Sequence, residues 1–269
     1  GPALSASGTP SGAAGSGNCD ADRTPATSAP GESRRQRCRG TYQENLIPLC
    51  PHARRFMSWA PINELSPQLP IPQGYRIEQL KRTEIPDLIR CFKIWFPDIA
   101  VGAERCYHQD EFYRNAVSLE GEPETDVIVL VIKKGAELVG MASLQRSEDT
   151  GTIYARMGAI SPDHRGERLA NVAVALVEQM GRAIGMDIAY ALAQFSIPNM
   201  QGILERAGFR IVGIFPASDR MIVEPGITKR VYEAIYVKVL VSYEDIVLPR
   251  PESMTPKTKA LYDFLFGAQ

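Results

Sequence analysis

Ile160-Ser-Pro-Asp-His-Arg-Gly-Glu-Arg-Leu-Ala170 stands between the strand-like run Thr152–Ile160 and the long helical pattern Leu169–Ile184. The position gives the stretch its meaning. The first amides of a helix have no acceptor within it, and the macrodipole adds partial positive charge at that end. A tight turn containing Gly166 can aim several N–H groups at one point, where Arg165 and Arg168 add charge-assisted contacts. Such a junction binds a phosphate or pyrophosphate with few basic side chains.

On either side the chain reads as a regular alternation of elements. Tyr75-Arg-Ile-Glu-Gln-Leu80 alternates as a half-buried strand does, and Glu84–Phe96 carries Ile85, Leu88, Ile89, Phe92 and Trp95 on one helical face. A short helix is predicted over Asp110–Leu119. Asp126–Lys133 and Glu137–Gln145 form a hairpin around Lys134-Gly135-Ala136. After the long helix, which Gly185 ends, come a strand over Asp187–Phe195, a helix over Pro198–Ala207 and strands over Phe209–Phe215 and Arg230–Val241. The order β-α-α-β-β-β-α-β-α-β-β predicts an α/β fold with a mixed, mostly antiparallel central sheet flanked by helices, over residues 73–243.

The flanks differ. Residues 1–40 are rich in Gly, Ser, Ala and Pro and offer little to bury, which predicts a disordered tail; Gly1-Pro2 reads as the remnant of a cleaved tag. Residues 41–72 combine Tyr42, Leu46, Phe56 and Trp59 with six prolines, an extended arm packed on the domain rather than a regular helix. Residues 244–269 end in an amphipathic segment, Thr255–Phe266, that docks on the domain or on a second subunit.

Composition removes several classes of function. With 30 basic and 31 acidic side chains there is no global field to draw nucleic acid or a membrane surface. No apolar run approaches the ~20 residues of a membrane span. Five cysteines at irregular spacing read as reduced thiols in a cytoplasmic protein. Cys50-Pro-His52, with Cys38 upstream, matches no zinc spacing, so no metal is expected.

The stretch from Ile160 to Ala170 resembles the acyl-CoA signature of the GNAT (GCN5-related N-acetyltransferase) superfamily: Gln or Arg, two residues, Gly, one residue, then Gly or Ala. Arg165 and Ala170 match its ends, Ile160 and Pro162 match its usual lead-in, and Arg168 replaces its central glycine. Downstream, Ser196 to Phe209 resembles the family's next helix and its Gly-Phe end, with Leu204 where the family often has a tyrosine acid and Asn199 two residues late. The resemblance implies acetyl-CoA or another acyl-CoA as co-substrate. Its pantetheine arm would lie between two splayed parallel strands, Tyr154–Ile160 and Asp187–Phe195. Met157, Ala159 and Ile160 would offer backbone groups, the turn Arg165, Gly166, Glu167, Arg168, Leu169 and Ala170 would hold the phosphates, and Asn199 on the next helix would be a further cofactor-binding residue. The acceptor, a small amine or an amino acid, would attack the thioester directly.

No carboxylate stands on the first of these strands. The candidate base or acid therefore comes from elsewhere, with Glu233, Tyr232 and Glu111 as the choices and His108, Asp110, Glu148 and Asp149 also in reach. Arg156 and Tyr154 are candidate acceptor-binding residues; the competing reading of Arg156 is an ion pair with Glu137 or Glu233. A non-catalytic acyl-CoA sensor, a donor carried by an acyl carrier protein, and a homodimer all stay open at this point.

Overall fold

The computed structural model describes residues 58–97 and 101–267. The predicted tail, most of the arm, and Cys50-Pro-His52 lie outside them.

Eight strands form one sheet: β1 (Tyr75–Gln79), β2 (Val117–Ser118), β3 (Val127–Lys134), β4 (Glu137–Ser147), β5 (Thr152–Ile160), β6 (Ile188–Gln194), β7 (Arg210–Glu224) and β8 (Ile227–Val239). Their order is β1-β3-β4-β5-β6-β8-β7, with β2 on the start of β3. Pairing is antiparallel except for β2–β3 and β5–β6. The helices are α1 (Ile62–Leu65), α2 (Ile85–Trp95), α3 (Asp110–Ala116), α4 (Leu169–Ala183), α5 (Pro198–Arg206) and α6 (Pro256–Phe266).

The run Val127–Ile132 shows why the sheet carries helices on both sides. Ile128, Leu130 and Ile132 pack in a core with α4 and α5, whereas Val127, Val129 and Val131 pack in a second core with α2 and α3. A strand covered on both faces has no place for alternating polar residues. Trp59, Leu65 and Leu69 join the first core. Trp59 Nε1 donates to the Thr125 carbonyl at 2.9 Å, and the Arg146 guanidinium lies over its ring.

Three local expectations are corrected. The prolines before residue 72 do not prevent a helical turn, because Pro61 stands at the N-cap of α1 and Pro67 at the first turn of a 3₁₀ segment, where a missing N–H costs nothing. α3 stops at Ala116 rather than Leu119: Val117 and Ser118 pair with β3, and the Ser118 hydroxyl bonds the Thr125 carbonyl at 3.0 Å. β7 and β8 extend far past Phe215 and before Arg230 into one long hairpin. Between Phe215–Glu233 and Asp219–Val231 the register shifts by a bulge that holds Pro216 and Ala217, the latter at φ 56°. α6 touches the domain through Arg210, which donates to the Leu265 carbonyl and lies over the Phe266 ring.

Candidate acyl-transfer site

The site begins where β5 and β6 part. Their parallel ladder runs from Thr152–Ile188 to Ala155–Ala191 and stops. Beyond it β6 continues to Gln194 against β8, and β5 continues to Ile160 against β4. The cause is visible on β5. Ser143 pairs with Met157 but Leu144 pairs with Ala155, so Arg156 is an extra residue, a β-bulge. A bulge reverses the side-chain alternation: Ile153 and Ala155 belong to the α4 side, while Met157 and Ala159 pack on the α2 side. It also bends the strand away from its parallel neighbour, which opens a wedge between the two.

At the far end of β5 the chain makes the turn singled out above. Pro162–His164 is one 3₁₀ turn, Gly166 has φ 91°, and Arg168 caps α4 from the left-handed region at φ 61°, ψ 15°. That conformation explains why the signature has glycine at this position. Asn171 and Val172 donate to the Arg168 carbonyl, so the amides of Leu169 and Ala170 precede the first intrahelical bond. His164, beside the turn, is fixed by Tyr75, whose hydroxyl lies 3.0 Å from Nδ1.

The turn and α5 enclose a cleft of about 700 Å³. Ile160, Arg165, Gly166, Arg168, Leu169, Ala170 and Asn199 all line it, joined by Arg206 from α5. No carboxylate lines it among the described residues. Of the other predicted donor-site residues, Glu167 is exposed beside the cleft, and Met157 and Ala159 lie on β5 at the wedge. Because Ile160 ends β5 and also lines the cleft, the cleft and the open strands adjoin.

On the α2 side of the wedge three carboxylates gather: Glu104 from the 3₁₀ helix Ala103–His108, Asp219 from the β7 bulge and Glu233 from β8. Glu104 lies within hydrogen-bonding reach of Asp219, and the Asp219 carboxylate also accepts from the Ala103 amide at 2.8 Å. Gly102 makes this approach possible, since a Cβ there would stand 2.6 Å from Asp219 Oδ1. Burial, and then the adjacent Asp219, push the Glu104 carboxyl up to about 7. Burial also raises Glu233, against a hydrogen bond from Ser218. Tyr154, which these carboxylates face, stacks on Tyr190 at 4.7 Å with planes 9° apart.

The remaining candidates fall elsewhere. Arg156 donates to Gln145 Oε1 at 3.0 Å and lies over the rings of Tyr107 and Phe112. It makes neither of the ion pairs weighed for it among the described residues. Tyr232 is 53% exposed beside Phe195, and Glu111, Glu148 and Asp149 are surface charges. Asp110 pairs with Arg114, and burial lowers the partly buried His108. Leu204, where the family's tyrosine often stands, is a core residue. Glu104 and Asp219 were missed from sequence because their neighbourhood is assembled from segments more than a hundred residues apart. Among the described residues no cluster of His, Cys, Asp and Glu is placed to hold a metal ion, and no helix is long and apolar enough to cross a membrane.

The sequence model of the acetyltransferase (GNAT) family matches residues 88–209. No curated protein matches the chain. Among solved structures, a spermidine N-acetyltransferase SpeG chimera from Vibrio cholerae and hSSAT is 14% identical at a TM-score of 0.50, covering 65% of this chain and 100% of that one. Mutant forms of the spermidine/spermine N-acetyltransferase SpeG from Vibrio cholerae are 12% identical at a TM-score of 0.50, covering 63% and 95%. At such identities the likeness is one of fold, a mostly antiparallel open sheet flanked by helices. With its signature stretch inside the matched region, the domain belongs to the acetyltransferase (GNAT) family.

Proposed function

We propose that the protein is an N-acyltransferase that moves an acetyl or other short acyl group from a CoA thioester to the amine of a small cationic acceptor. The observation that carries this reading is the continuity of the arginine-lined cleft with the wedge between β5 and β6. A long, bent donor needs its phosphates held at one end and its pantetheine laid along open strand backbone at the other, and these two features adjoin at Ile160.

The acceptor would approach from the side of Glu104, Asp219 and Glu233. An acceptor that arrives as an ammonium ion is attracted there by the carboxylates and loses one proton to Glu104. The freed nitrogen attacks the thioester carbonyl, the carbon–sulfur bond breaks, and the second nitrogen proton goes to the departing thiolate. The products are an amide and CoA thiol, and Glu104 returns its proton to solvent. A carboxyl that titrates near neutrality suits this exchange. The rest of the rate enhancement comes from holding amine and carbonyl together. With Arg156 held between Gln145 and two aromatic rings, the site favours a cationic acceptor over one recognised by its carboxylate.

Calorimetry with acetyl-CoA tests the reading. Micromolar binding is expected in the intact protein and its loss in an Arg165→Ala, Gly166→Asp double variant, followed by CoA release in a screen of amines. Absence of both binding and CoA release with any acyl-CoA would overturn it.

A further inference from the structure

Arg168 departs from the signature, and the departure has a physical cost. A residue with a Cβ in the left-handed region is less stable than glycine there by about 1 kcal/mol. The same backbone makes Arg168 part of the cleft wall. Arg206, in the last turn of α5, lines the same cleft. Gly202 leaves it room: a Cβ at Gly202 would lie 3.1 Å from Arg206 Nη1, so the guanidinium lies along the helix on the surface that lines the cleft. Neither arginine has an ion-pair partner among the described residues. Arg165, by contrast, is partly engaged over the Phe96 ring at 5.6 Å.

The cleft therefore holds more cationic capacity than a pyrophosphate needs. The free amides of Leu169 and Ala170 and the α4 dipole already suit two bridging phosphates. Two further guanidiniums, on separate elements, remain for another anion. A phosphomonoester, with a charge of about −1.5 to −2 near neutrality and three acceptor oxygens, suits two arginine forks that line one cleft.

We propose that Arg168 and Arg206 grip the ribose phosphomonoester of the donor, so that the protein distinguishes a nucleotide thioester bearing that group from one that lacks it. The inference rests on the reading of the cleft as an acyl-CoA site and deepens it. A donor tethered to a carrier protein offers a single phosphodiester and no ribose phosphate, so the same pair disfavours it.

The test compares acetyl-CoA with acetyl-dephospho-CoA, which differs only by that phosphate. Binding is measured by calorimetry to the full chain and to Arg168→Gly, Arg206→Ala and the double variant, each first checked for a cooperative melt. The intact protein is expected to bind the dephospho compound about 10- to 100-fold more weakly, the equivalent of one or two charge-assisted hydrogen bonds. The ratio is expected to fall to within about threefold in the double variant. Equal affinity of the intact protein for both compounds, or a ratio that survives the double substitution, overturns the proposal while leaving the acyl-CoA reading in place. Failure of the intact protein to bind either compound removes both.

Discussion

Glu104 sits in a segment with no apolar period and acquires its chemistry only from its neighbours. Its carboxyl is raised from the ordinary 4.5 to about 7 by burial and by Asp219. This shift has opposite consequences for activity and for stability. As a base Glu104 must be ionised, so kcat/KM is expected to fall as pH drops below about 7. Glu104→Gln should lower kcat by about a hundredfold or more and flatten that limb, measured as a pH–rate profile. For stability, the folded state binds the proton more tightly than the unfolded chain, so stability falls as pH rises from about 4.5 through about 7. Glu104→Gln is therefore expected to match the parent near pH 4 and exceed it near pH 8 by on the order of 2–3 kcal/mol, read by chemical denaturation at the two pH values. A variant that loses activity and stability together at pH 8 would mark Glu104 as a packing residue instead.

At the scale of elements, the placement of α4 decides the cleft, because its first turn lines it and is the proposed phosphate end. Gly181 sets how closely the helix lies on the sheet. A Cβ there would come within 2.8 Å of Ile153 Cγ2 and 2.7 Å of Leu240 Cδ1. The leucine tip can turn aside, but Ile153 is a fully buried β-branched residue and cannot. Gly181→Ala should thus destabilise by about 1–2 kcal/mol despite the better helix propensity of alanine, a fall of a few degrees in Tm. Weaker acetyl-CoA binding should accompany it, since the helix end shifts with its middle. An unchanged or raised Tm would show that the interface gives way at no cost. The helix itself was legible: its apolar period and the Gly185 stop bound it within a residue. So were β1, β3, β4 and β5, whose β-branched runs and turn residues are local signals. The β7–β8 hairpin was not. Pro216-Ala-Ser-Asp219 interrupts the alternation, and the strand survives it only because a bulge takes up the extra residues.

Across the whole molecule the legible and illegible parts of the site divide along the same line. The proposed donor half is written in consecutive residues, from Ile160 to Ala170, because one turn and one helix end make it. Arg206 escaped notice because it reaches the cleft through the fold, four residues after Gly202 on α5. The proposed acceptor half is assembled from Glu104, Asp219 and Glu233, which share no sequence neighbourhood, and the bulge at Arg156 leaves no mark in the pattern of residue types. The chain's balanced total charge conceals this polarity, with cationic side chains at one end of the site and anionic ones at the other.

That separation has a consequence for how quickly the donor arrives. Three guanidiniums and a helix end, with no carboxylate among the described residues that line the cleft, form a local positive funnel on a molecule of net charge −1. Encounter with a polyanion should accordingly be steered, and steering weakens once the screening length drops below the width of the funnel, about 10 Å at 0.1 M salt. In stopped-flow measurements between about 0.02 and 0.5 M salt, the association rate constant for acetyl-CoA should fall about tenfold or more, while the dissociation rate changes far less. An association rate indifferent to salt would mean that the donor finds the protein by diffusion alone, and that the arginines act only after contact.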